Sequence, residues 1–115
     1  MESYNLEKLR FPNGKFIYPE SASKTEIEQW INEIELLPVQ IRKAVEELTP
    51  AQLKLVYRPD GWNIKQLINH LIDSHSNSVI RFKLALTEEI PTIKPYHEER
   101  WALLADTEID RKSVV

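Results

Sequence analysis

From Trp62 to Ile90 the chain contains neither Gly nor Pro. In a chain of 115 residues with seven Pro, an uninterrupted stretch of that length reads as one long helix, and its apolar residues keep a helical period. With Ile64 set at zero and a step of about 100° per residue, Ile64, Leu67, Ile68, Leu71, Ile72, His75, Val79, Phe82 and Leu86 fall between about −60° and +80°. That stripe is the expected core face. His70 falls at about 240°, beside Ser74, Asn77 and Arg81, which makes a second stripe, polar and turned away from the first. Asn63, with Gln66 three residues on, is the expected N-cap. The preceding "YRPDGW" places Pro59, Asp60 and Gly61 in turn-favouring positions.

A second long helix is predicted over Lys24–Leu48. "SKTE" is a capping box starting at Ser23. Ile27, Trp30, Ile31, Ile34, Leu37, Ile41, Ala44, Val45 and Leu48 then recur at spacings of three and four, the mark of one buried face. Pro38 interrupts this stretch, yet the apolar phase continues through it, so a kinked helix is expected and not a hairpin. "TPAQ" is another start signal, with Thr49 as cap and Pro50 at the first helical position. It predicts a short helix from Pro50 to about Leu55. Residues 1–22 show no sustained period and contain Pro12, Gly14 and Pro19. They are expected to form an extended arm with a turn at "PNG", pinned to the body by Phe11, Phe16, Ile17 and Tyr18. Pro91 and Pro95 end the long helix and open a polyproline-like connector. Glu98 to about Ala105 is expected to form a short helix with Trp101 buried. The tail "ADTEIDRKSVV" has too little apolar periodicity for a finished element.

Only two Gly, long periodic segments and no internal repeat predict a single all-α domain. A 42% hydrophobic and 29% charged composition suits a folded chain rather than a disordered one. A net charge of −3 gives no electrostatic reason to expect nucleic acid or an anionic membrane as partner. No apolar run is long enough to span a bilayer, and residues 1–20 hold no apolar signal-peptide core. The absence of Cys removes disulfides and thiolate zinc sites, and it fits a cytoplasmic location.

The three histidines are the side chains with most chemical potential. His75 lies on the apolar stripe and reads as a core or interface imidazole. His70 lies on the polar stripe, either as a solvated surface residue or as a ligand. They are about 140° apart around the helix and cannot share an ion. His70 and Asp73 share a face, which allows a two-ligand pair. A catalytic divalent-metal site needs three protein ligands and an open position. His97 lies in the Pro-rich connector beside Glu98 and Glu99, with no ligand spacing. Arg81 suits a substrate carboxylate or a surface ion pair. Trp30, Trp62 and Trp101 read as core residues.

The segment "DGWNIKQLINHLIDSHSNSVIRFKLALTEEIPTIKPY" resembles the DinB-like superfamily, and closely its YfiT branch, the bacillithiol-transferase-type metal-dependent hydrolases. The N-terminal "YP" arm and first helix resemble that branch as well. The resemblance implies an up-down-down-up four-helix bundle, a homodimer, and one divalent metal (zinc or nickel) held by three histidines. The first ligand of that set maps onto His70, and the polar stripe would line the metal cleft; helical phase alone makes Asn77 and Arg81 the cleft-lining residues expected to meet substrate. The other two ligands of the family lie in an H-x-x-x-H pair on a last helix, and no such pair occurs here. The resemblance therefore implies that the chain is the N-terminal part of the domain, with two long helices and an incomplete metal site. The implied activity is metal-assisted transfer of a low-molecular-weight thiol to an electrophilic small molecule, or hydrolysis by an activated water. The alternative is a non-catalytic helical interaction module that pairs through its unfinished face.

Overall fold

The computed structural model describes residues 5–108, and among these the regular secondary structure is helical. The order is α1 (Leu6–Arg10), α2 (Lys24–Val45), α3 (Pro50–Leu53), α4 (Ile64–Thr87), α5 (Glu98–Trp101) and a 3-10 turn at Ala105–Glu108. The β pairing among the described residues is an isolated antiparallel bridge between Val56 and Asn63.

Three helix starts fall where local chemistry puts them. Ser23, Thr49 and Asn63 each accept from the backbone N–H three residues on, at 3.1, 3.2 and 2.8 Å. Glu26, Gln52 and Gln66 reach back to accept from the cap N–H at 3.1, 2.9 and 2.9 Å. Each pair satisfies two backbone donors that a helix start otherwise leaves open. Pro38 lies inside α2, and the helix continues through it. The ends are shorter than expected. α2 stops at Val45, α3 at Leu53 and α5 at Trp101, because a carboxyl end has no comparably local signal unless Gly or Pro supplies one.

The core sits where the end of α2, α3 and the first half of α4 meet. Val45, Leu53 and Ile68 are buried there, with Leu48, Ile64 and Ile72 packed around them. The C-terminal segment folds back on the same end of α4. Gln66 Nε2 donates to the Ala102 carbonyl at 3.2 Å, and Lys65 Nζ to the Glu108 carbonyl at 2.9 Å.

Several burial expectations are overturned. Along α2 only Val45 is buried, while Ile27, Trp30, Ile31 and Ile34 are exposed. On α4 the stripe is buried at Ile68, but Val79, Phe82 and Leu86 are exposed, Leu86 at 84%. Two long helices cannot cover each other's full apolar width, so both stripes emerge from cover once they leave the shared end. The radius of gyration, 16.8 Å, records this openness, since a compact chain of this length is near 13 Å. Trp101 is not buried: it is 37% exposed and stacks on Tyr96 at 4.5 Å, while neighbouring Ala102 takes the covered position.

The arm also departs from expectation. Asn5 caps a five-residue helix, accepting from the Lys8 N–H at 3.3 Å, before the chain turns at Gly14. Gly14 takes φ +79°, and its N–H donates to the Phe11 carbonyl at 3.0 Å. Phe11 is half-buried as an anchor should be, but Phe16, Ile17 and Tyr18 are exposed. Phe16 and Tyr18 pack on each other edge to face, at 5.0 Å between ring centroids.

Candidate metal centre

The polar stripe of α4 begins one residue after a buried amide. Asn69 is 3% exposed, and its Nδ2 donates to the Lys65 carbonyl at 3.0 Å, while its Oδ1 has no hydrogen-bond partner. His70, Ser74, Asn77 and Arg81 follow along one side of the helix, and all four are half-buried. Asn77 Nδ2 donates to the Asp73 carbonyl at 2.8 Å, which ties its amide back to the helix. Ser78 Oγ does the same to the Ser74 carbonyl at 3.0 Å. The stripe is thus less exposed than the outer half of the apolar stripe, the reverse of the sequence expectation.

His70 has a neighbour that the sequence did not announce. The Trp62 indole lies 4.9 Å from the imidazole, centroid to centroid, tilted by 56°. The turn before α4 brings it there. Asp60 takes the left-handed conformation at φ +58°, and the Gly61 N–H donates to the Arg58 carbonyl at 3.1 Å. Arg58 is fixed in turn, with Nε donating to Tyr57 Oη at 3.3 Å and Nη1 to the Pro59 carbonyl at 3.0 Å. Tyr57, Arg58, Trp62 and Leu67 line a small cavity of about 230 Å³ on this side of α4.

The other histidines lie elsewhere. His75 is exposed on a groove of about 290 Å³ between α2 and α4, lined also by Leu37, Pro38, Ile41, Leu71 and Val79. His97 is in the connector, with Nδ1 3.5 Å from Glu99 Oε1, both side chains open to solvent. Among the described residues no three His, Asp or Glu side chains gather to hold a metal. One imidazole does not retain a divalent ion where three ligands are needed. The described residues therefore do not by themselves make the three-ligand centre that the resemblance implies.

The model of the DinB superfamily matches residues 33–114. The chain belongs to the DinB superfamily. Relatives from Bacillus cereus strain B4264 and Bacillus anthracis strain A0248, each named "Putative metal-dependent hydrolase", are 49% identical over 104 residues. Those alignments take in 90% of this chain and 60% of the relative. Among solved structures, YfiT from Bacillus subtilis superposes with a TM-score of 0.87 at 44% identity, over 93% of this chain and 61% of that one. It is described as a probable metal-dependent hydrolase with an unusual four-helix bundle topology. The chain thus spans about 60% of the length of the curated relatives it matches. Its two long helices and their connectors superpose on a DinB-type four-helix bundle of the YfiT kind.

Proposed function

We propose that this chain carries the His70 portion of a DinB-type metal-dependent hydrolase or thiol transferase. The observation that carries the reading is the placement of His70: half-buried on the polar side of α4, against Trp62, inside a stretch shared with relatives named for metal dependence. In this reading His70 is one donor to a zinc or nickel ion. The remaining donors come from outside residues 5–108 or from another chain. Asn77 and Arg81, farther along the same stripe, face the substrate. Arg81 supplies a fixed positive charge for an anionic group on a low-molecular-weight thiol or on its electrophilic partner. No helix among the described residues is long and apolar enough to cross a membrane, and the reading places the protein in the cytoplasm.

The test is equilibrium dialysis against Zn²⁺ and Ni²⁺, with and without His70→Ala. It uses this chain alone and this chain joined to the C-terminal portion of a Bacillus relative. The expected result is no tight binding by the chain alone and tight binding by the joined protein, lost with His70→Ala. Unchanged affinity in the joined His70→Ala protein would remove His70 from the site.

A second reading is favoured by a different observation. The exposed faces of α2 and α4 flank the groove around His75, so the chain suits pairing with a second copy as a helical interaction module.

A further inference from the structure

His75 and His97 have no aromatic neighbour among the described ring pairs, whereas His70 has one. The turn that supplies Trp62 is narrowly determined. A Cβ on Gly61 would stand 2.8 Å from Arg58 Cγ and 3.1 Å from the Arg58 carbonyl, so the turn closes this tightly only with glycine there. The Val56–Asn63 bridge and the Gly61-to-Arg58 hydrogen bond hold it from both sides. Trp62 then stands immediately ahead of the Asn63 cap of α4, where the paired Asn63 and Gln66 bonds fix the helix start. The contact therefore joins two rigid pieces, a closed turn and a capped helix.

We propose that Trp62 is a positioning residue for His70. A histidine on a helix has two accessible χ1 rotamers, near 180° and −60°. The indole selects one of them and limits rotation of the ring about χ2. An imidazole already confined in this way loses less rotamer freedom when it engages a ligand, which is how a supporting residue adds to affinity without touching the ligand. The role of the contact rests on the functional reading of His70 given above, but its geometry is tested without that reading.

The experiment is nuclear magnetic resonance on the isotope-labelled chain, measuring three-bond couplings from backbone nitrogen and carbonyl carbon to His70 Cγ. The wild-type pair is expected to show a single staggered rotamer. Trp62→Ala should move both couplings to intermediate, averaged values, and Trp62→Phe should restore the single rotamer. Gly61→Ala keeps the indole but displaces the turn, and it should average the couplings as Trp62→Ala does. The amide spectrum of α4 shows in each case that the helix persists. If Trp62→Ala loses that spectrum, Gly61→Ala and Trp62→Leu carry the comparison. Averaged couplings in the wild type, or one rotamer in every variant, would overturn the proposal. The dialysis result for His70→Ala bears on the functional reading alone.

Discussion

Among the described residues Asp60 is the non-glycine residue with a positive φ. A non-glycine residue at φ +58° gives up roughly 1–2 kcal/mol, less for Asp because its short side chain bonds locally. Asp60→Val, which cannot compensate, is expected to lower stability by about 1–2 kcal/mol in urea unfolding, whereas Asp60→Asn should be near neutral. Three residues along, Asn63→Ala removes the cap of α4 and should cost about 1 kcal/mol. Glu26 gives a pH signature. The Ser23 amide, and then its hydroxyl, hold the Glu26 carboxyl below the usual carboxylate range. Its contribution is thus complete above the unfolded value near about pH 4.3 and disappears as pH falls through the lower folded value. Glu26→Gln should therefore lower stability at neutral pH and leave it unchanged below the window, so that urea midpoints followed by circular dichroism fall less with acid than in the wild type. At this scale the sequence was partly legible. Helical phase puts His70 on the polar stripe and the resemblance makes it a ligand candidate, whereas its contact with Trp62 is not legible, because that contact depends on a left-handed turn residue that periodicity does not see.

At the level of elements, the starts of α2, α3 and α4 were readable, and burial was readable only at the packed end, where Val45 and Ile68 are covered as their stripes predict. A capping box is complete within four residues, so Ser23, Thr49 and Asn63 could be read without knowing the rest of the molecule. The α1 turn escaped because five residues are too few to show a period beside Pro12 and Gly14. Whether Ile31 or Val79 is covered depends on a facing surface, and no spacing within one helix reports that. The packed end should dominate stability. Ile68→Ala, at the centre of the cluster with Val45 and Leu53, is expected to cost about 2–5 kcal/mol. In so small a core that would abolish the cooperative thermal transition. Pro38 is the opposite case. Its ring removes a backbone bond from α2, so Pro38→Ala should raise the urea midpoint, with a ceiling of about 3 kcal/mol.

For the whole molecule, the question is what covers the splayed faces. Ile27, Trp30, Ile31 and Ile34 on α2, and Val79, Phe82 and Leu86 on α4, are large apolar side chains left exposed along the two long helices. Sedimentation equilibrium over a dilution series should show mass rising toward twice the monomer, and Ile34→Asp together with Val79→Asp should hold it at monomer. A monomer with cooperative unfolding at every concentration would sink the pairing reading. The three capping boxes carry a further consequence for the order of events. Because each is satisfied by its own neighbours, α2, α3 and α4 have their starts marked as soon as those residues leave the ribosome, amino end first. A second copy closing the groove, as the pairing reading has it, would meet a surface already shaped. Its arrival would be a docking step, whose rate should vary with concentration and hardly at all with the helix propensity of this chain.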